Sequence, residues 1–261
     1  MKKILIDELP KDAPEELRSF ASRSHIYDSS CSPEAKVYFI DRDTGYYLKR
    51  AQHASLETEA NLTQFFYTHG IGAEVLSYNA AEEDWLLTRA LPGEDCVHEI
   101  YLGDPKQLCD TIAQELRRLH ELDISSCPVS DRMTNYFALA ESNYRAGKFD
   151  RSLFSGEFAY RSAEDAYTVL REGKDALKDR VLLHGDYCLP NIILDDWQLA
   201  GFVDVGCGGI GDRHLDLFWG AWTLNFNLKT DAYRKRFFDA YGRDKVDESL
   251  LQVIAAAEVF G

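Results

Sequence analysis

The sequence predicts an α+β protein of two lobes, a small N-terminal lobe built on an antiparallel sheet and a larger, mainly helical C-terminal lobe. Three observations carry this. Residues 36–51 alternate as a hairpin, with Val37, Tyr38 and Ile40 in one arm and Tyr46, Tyr47 and Leu48 in the other, around Asp43-Thr44-Gly45. After Leu91-Pro92-Gly93 the apolar spacing turns helical, so that tripeptide divides a lobe of residues 1–91 from one of residues 92–261. Short apolar runs near 181–183, 192–194 and 199–203 then interrupt the helices as strands ending in polar groups.

The individual elements follow in order. Asp12-Ala13-Pro14 opens a short helix, with Asp as cap and Pro in the first turn. Beyond the hairpin, Ser55 is expected to cap a helix whose apolar groups are Leu56, Leu62, Phe65 and Phe66, stopped by His69-Gly70. Strands are expected near 73–78 and 84–90. In the second lobe Asp104-Pro105-Lys106-Gln107 combines a capping Asp, an early Pro and a Gln that can close a capping box. Leu108, Ile112, Leu116 and Leu119 then share one helical face, and Ser162 caps a further helix. Three helices close the chain, near 213–227, 231–241 and 247–260.

A chain of 261 residues with 45% hydrophobic content can bury a sizeable core. Its formal charge of −15 disfavours nucleic acid, whose phosphates need cations, and favours a cationic ligand or simple solubility. The apolar stretch Ile4-Leu5-Ile6 is too short for a signal peptide, and no run is long enough to span a membrane. Six scattered cysteines without a Cys-x-x-Cys pair read as reduced thiols. A cytoplasmic protein, as monomer or weak dimer, is expected.

The chemistry concentrates in Leu183-His184-Gly185-Asp186-Tyr187-Cys188-Leu189-Pro190-Asn191, followed by Gly201-Phe202-Val203-Asp204. His-x-Asp-x-x-x-x-Asn with a later Asp is the residue set of kinase chemistry. One Asp orients an acceptor hydroxyl, while Asn and the second Asp hold magnesium on nucleotide phosphates, a task suited to hard oxygen ligands. Asp186 is accordingly the catalytic candidate, and Asn191 and Asp204 are the metal candidates. Taken alone, Asp186 reads as a turn acid and Asn191 as an ordinary turn residue after Pro190; the spacing to Asp204 is what favours chemistry.

Lys49 ends the second hairpin arm, where its stem can carry an ammonium to nucleotide phosphates, and Glu59 on the next helix is its natural partner. The plain alternative is an exposed edge lysine. No Gly-x-x-x-x-Gly-Lys-Ser/Thr string is present, which disfavours a P-loop ATPase. The glycine-rich loop of protein kinases is replaced by Asp28-Ser29-Ser30-Cys31-Ser32-Pro33-Glu34, where Ser30 and Ser32 could bind phosphate or simply complete a polar turn.

His184–Asn191, Gly201–Gly206 and Gly209-Ile210-Gly211-Asp212-Arg213-His214-Leu215-Asp216-Leu217 resemble the aminoglycoside phosphotransferases, most of all the 3′-phosphotransferases. The resemblance implies a two-lobed, protein-kinase-like fold that uses ATP or GTP with Mg2+ to phosphorylate a hydroxyl of an aminoglycoside, conferring antibiotic resistance. It assigns catalysis to Asp186, metal to Asn191 and Asp204, and the phosphate pair to Lys49 and Glu59. Main-chain groups of the Thr88–Leu91 segment, chiefly Arg89 and Leu91, would meet the nucleotide base. Arg213 and Asp216 would brace the catalytic loop. The acceptor would meet Asp186, Glu258, Phe260 and, in an insertion, Glu157. Two departures stand out: Cys207 where the family usually has Arg, and Gly261 beyond the final aromatic. The competing readings are a kinase for choline, homoserine, a sugar or another antibiotic, and a nucleotide-binding pseudokinase.

Overall fold

A computed structural model describes residues 3–31, 33, 35–151 and 160–261. The chain divides into two compact units, Met1–Glu94 with Ile193–Gly206, and Asp95–Ile192 with Cys207–Gly261. The N-terminal unit runs to Glu94 and also takes in the 193–206 segment. Grouping by sequence alone joins it to its chain neighbours, whereas packing joins it to the sheet-bearing unit. Among the described residues, no helix is long and apolar enough to cross a membrane.

The first unit contains β1 (Ile4–Ile6), α1 (Glu15–Ala21), β2 (His25–Asp28), β3 (Ala35–Asp41), β4 (Tyr46–Gln52), α2 (Glu57–Thr68), β5 (Val75–Ala80), β6 (Glu83–Arg89) and the two-residue β7 (Glu94–Asp95) at its edge. Six strands form an antiparallel sheet in the order β1-β2-β3-β4-β6-β5. Alternation along β4 sends Tyr46 and Leu48 to one face, where they join Ile26, Ile40 and Leu87 under Leu17 and Ala21 of α1. The other face carries Lys49 and Ala51, and α2 covers it through Leu56 and Ala60. β1 and β2 escape sequence reading because they are short and only partly buried.

α2 starts where expected, but its cap differs. Ser55 turns its hydroxyl back to the Gln52 carbonyl. The turn leading into α2 is held instead by Asp84 of β6, which accepts from the cap residue's Leu56 N at 2.8 Å and from Ala54 N at 3.0 Å. Tyr78 donates to the same carboxylate at 3.0 Å. Burial drives the Asp84 pKa up, yet these three donors outweigh it and hold the group below the usual carboxylate value. Likewise Asp12 is not the cap of α1; the cap position is Pro14, and Asp12 pairs with Arg50.

The second unit contains α3 (Glu99–Leu102), α4 (Pro105–His120), α5 (Arg132–Arg145), α6 (Ala163–Gly173) and β8 (Val181–Leu183). The chain then gives the first unit β9 (Ile192–Asp195) and β10 (Gln198–Phe202), and returns through β11 (Gly209–Gly211), α7 (His214–Leu228), α8 (Arg234–Gly242) and α9 (Glu248–Glu258). α4 begins as its sequence dictates, with the Asp104 carboxylate accepting from Gln107 N at 3.1 Å. Its apolar stripe, Leu108, Ile112, Leu116 and Leu119, is fully buried. α5, α6 and α9 share a core of Met133, Tyr136, Leu170, Ile254 and Phe260. β8 pairs antiparallel with β11, setting Leu183 opposite Gly209.

In the first unit, the β9–β10 segment is held by Phe202 N–H donating to Ile71 O at 2.8 Å and by the Phe66 and Phe202 rings, 6.2 Å apart edge to face.

Asp84→Ala strands two backbone donors and a tyrosine hydroxyl without a partner. It is expected to lower stability by about 2–4 kcal/mol in urea titration, with the loss centred on α2 in hydrogen exchange.

Candidate active site

In the first unit, the pairing of β4 with β3 and β6 sets Lys49 opposite Val37 and Leu86, and α2 lays Glu59 over it. Lys49 Nζ donates to both Glu59 oxygens at 2.7 and 2.9 Å, and to Asp204 Oδ1 at 2.7 Å. Burial opposes the lysine charge, but the two carboxylates outweigh it and raise its pKa. Glu59 sits above the usual carboxylate range because burial, aided by Asp204, exceeds the pull of the shared ammonium. Asp204 follows β10 in a left-handed backbone conformation, φ +58°, with its side chain 56% exposed. Gly206 lets Glu59 approach, since a Cβ there would stand 3.2 Å from the Glu59 Cβ.

In the second unit, the loop after β8 is fixed at its main chain. His184 N and Gly185 N each donate at 2.8 Å to the two oxygens of Asp216 on α7. Leu189 N donates to Thr223 Oγ1 at 3.1 Å, and Tyr187 Oη to Ile112 O at 2.7 Å. Gly185 has φ +85°, and a Cβ would lie 1.8 Å from the Cys207 carbonyl oxygen, so only glycine fits. Asn191 Nδ2 donates to Asp186 Oδ2 at 2.9 Å and Asp186 O at 3.0 Å. Asp186 N donates to His184 Nδ1 at 3.2 Å, giving the histidine the anchoring position expected of it.

Beneath the loop runs a chain of donors with one direction. Arg213, paired with Asp179, donates to Tyr241 Oη at 3.0 Å. The tyrosine hydrogen is left for His120 Nδ1 at 2.8 Å, so His120 carries its proton on Nε2 and donates to Asp216 Oδ2 at 3.2 Å. Asp216 therefore accepts from His120, His184 and Gly185 together. Arg213 and Asp216 brace the loop as expected; His120 and Tyr241 were missed. The available signal was a histidine at the fourth position after Leu116, on the buried stripe of α4.

The remaining candidates divide. Ser30 Oγ accepts from Val37 N at 3.0 Å, and Ser30 N donates to Asp28 Oδ1 at 2.9 Å, so this serine braces its own turn. Ser32 and Glu157 lie outside the described residues. Arg89 N is used by Glu74 O at 2.9 Å and its guanidinium by Glu74 Oε2 at 2.7 Å. The Leu91 side chain packs over Gly201. Glu258 accepts from Tyr136 Oη at 2.7 Å and Trp219 Nε1 at 3.2 Å. Burial raises its pKa to about 7; the two donors and Arg132 pull it down, and the charge of Asp186 pushes it up. The Phe260 ring is only 1% exposed and meets Tyr144 and Tyr167 edge to face, which places it inside the helical core. At Cys207, where arginine was the expectation, a guanidinium arrives from α5: Arg132 Nε donates to the Cys207 carbonyl at 2.7 Å.

Each unit by itself offers oxygen atoms of the kind magnesium takes: in the second, Asn191 turns both amide hydrogens toward Asp186, which leaves Oδ1 as its acceptor face, and in the first, Asp204 carries a half-exposed carboxylate. A second group of possible ligands, Asp179, Asp212 and His214, does not suit an ion. His214 Nε2 accepts from Asp247 N at 3.0 Å, its Nδ1 donates to Asp212 at 2.7 Å, and Asp179 is paired with Arg213.

A strand lysine gripped by a helix glutamate, an acid beyond a strand end, and an Asp–Asn loop braced from α7 define a phosphotransferase of kinase-like fold. Residues 32–251 match the phosphotransferase enzyme family APH, and the chain belongs to the aminoglycoside phosphotransferase family. A probable aminoglycoside 3′-phosphotransferase of Lactococcus lactis subsp. lactis (strain IL1403) is 47% identical over 95% of each chain. Among solved structures, an aminoglycoside-3′-phosphotransferase of type VIII superposes with TM-score 0.80 at 25% identity, covering 96% of this chain and 98% of that one. The APH(3″)-Id enzyme of Streptomyces rimosus ATCC10970, solved with ADP and streptomycin, has TM-score 0.72 at 24% identity over 86% and 90% of the two chains.

Burial is the largest influence on His120 and lowers its pKa, with Asp216 opposing. The unfolded chain takes up a proton near pH 6.5 that the folded chain refuses. Stability present above that pH is therefore lost as pH falls, by at most about 1.4 kcal/mol per pH unit. His120→Gln should be less stable at pH 7.5 yet show a shallower fall in denaturation midpoint between pH 7.5 and 5.

Proposed function

We propose that this chain transfers the γ-phosphate of ATP or GTP, with magnesium, to the 3′-hydroxyl of an aminoglycoside, and so confers resistance to that drug. The observation that carries the phosphotransfer reading is the oriented pair Asp186–Asn191 on its braced loop. The choice of the 3′-hydroxyl rests on the relative from Lactococcus lactis named as such.

In this reading the Lys49 ammonium, held by Glu59, neutralises nucleotide phosphates. When bound, magnesium would be held by Asn191 and Asp204 and would offset the charge that builds on the phosphate oxygens. Asp186 accepts a hydrogen bond from the acceptor hydroxyl and fixes its attack direction. The hydroxyl oxygen forms the new bond to γ-phosphorus, the bond to the β,γ-bridging oxygen breaks, and the nucleoside diphosphate leaves. The hydroxyl proton passes to Asp186 late in the step. The reaction needs little covalent help, so positioning supplies most of the acceleration.

The acceptor's ammonium groups match a chain of net charge −15. Glu258 is the acid for one of them; the free cysteines and the use of a nucleotide donor support a cytoplasmic setting, and the working form in this reading is a monomer or weak dimer.

Incubation with kanamycin, ATP and magnesium should yield kanamycin 3′-phosphate by NMR. Absence of product across several aminoglycosides, or turnover of choline or homoserine instead, would displace this reading. Asp186→Asn should lower kcat by about 100- to 10,000-fold while leaving nucleotide affinity near wild type.

With a pKa of about 7, Glu258 is charged above that pH and loses its charge as pH falls through it. The acceptor KM should therefore climb from pH 8 to pH 6, and Glu258→Gln should give a high KM with that part of the pH dependence removed.

A further inference from the structure

α7 carries two kinds of residue on adjoining stripes. Asp216 and Thr223 face the catalytic loop, where they accept from His184, Gly185 and Leu189. Trp219, Trp222 and Phe226 follow at spacings of three and four, which stacks them along the neighbouring stripe. Their rings form a ladder, Trp219 edge to face with Trp222 at 5.3 Å and Trp222 stacked on Phe226 at 4.9 Å. One end of the ladder is fixed by the Trp219 hydrogen bond to Glu258. The other end is open, with Trp222 37% and Phe226 53% exposed.

We propose that Trp222, with Phe226, is a specificity-determining wall of the acceptor site that takes one amino-sugar ring by stacking. The inference rests on the aminoglycoside reading above and names how that acceptor is held away from the reacting hydroxyl. Continuity argues for this occupant, because the ladder begins at the acid assigned to the acceptor, and that acid lies close enough to Asp186 to feel its charge. Chemistry argues for it as well. An amino sugar presents an apolar C–H face and ammonium groups, and an indole face attracts both. The ladder already shows such a contact, since Lys229 Nζ lies 4.2 Å from the Phe226 ring centre. A carboxylate binds any cation that reaches it, whereas a flat aromatic wall prefers cations carried on a ring. Trp222 thus contributes discrimination that Glu258 cannot.

Steady-state kinetics of the full chain tests this with Trp222→Ala, Trp222→Phe and, at an exposed apolar residue of α3, Ile100→Ala. Trp222→Ala should raise the KM for kanamycin about tenfold with kcat and nucleotide KM little changed. Trp222→Phe should recover most of the loss, and Ile100→Ala should match wild type. Kanamycin should also quench wild-type tryptophan fluorescence more than that of Trp222→Phe. An active enzyme whose acceptor KM is unchanged in Trp222→Ala overturns this inference alone. So does sedimentation showing a wild-type dimer that Trp222→Ala dissociates without changing KM. A wild-type chain inactive on every aminoglycoside overturns the function itself.

Discussion

The buried carboxylate of Asp216 is the constraint on which the catalytic unit turns. A fully buried anion costs several kcal/mol unless its lone pairs are satisfied. Here they are satisfied by the two backbone N–H groups of His184 and Gly185 and by a histidine. The same contacts that make the acid tolerable fix the peptide planes leading into Asp186. Removing one donor would leave both an unpaired charge and a free loop, so stability and catalytic geometry are tied to one group.

Lys49 plays the corresponding part in the first unit. Its position is set by sheet register, and its partner Glu59 rides on a helix whose first turn is secured by Asp84 across the sheet. The ammonium holds Glu59 with two contacts and Asp204 with one, and Asp204 is the more exposed of the two acids. Glu59 is accordingly the permanent partner. Asp204 meets the lysine with one oxygen and keeps more than half of its side chain exposed.

Much of this was legible in the residues. Period-two alternation in 36–51 and the Asp104-Pro105 start gave the right elements because local chemistry decided them. The Lys49–Glu59 pair and the bracing by Arg213 and Asp216 were also readable. The rest depends on partners distant in sequence. Ser55 offered a plausible local cap, but the turn into α2 is fixed by Asp84, a buried carboxylate far along the chain that accepts from Ala54 N and Leu56 N. α5 was missed because its starting cap, Asp131, lies among other polar residues and its apolar face is narrow. Phe260 was assigned to the acceptor by resemblance alone, and no local pattern could announce that its ring packs in the helical core. His120 and Tyr241 are 121 residues apart, and no local pattern announces that they meet.

The bracing chain from Arg213 through Tyr241 and His120 has a polarity. The guanidinium can only give hydrogens and the carboxylate can only receive them, so the hydroxyl and the imidazole between have one orientation each. Reversing either would set donor against donor or acceptor against acceptor. The relay thus works as a ratchet on tautomer choice: His120 keeps its proton on the side of Asp216, which always meets a donor there beneath the 184–191 loop.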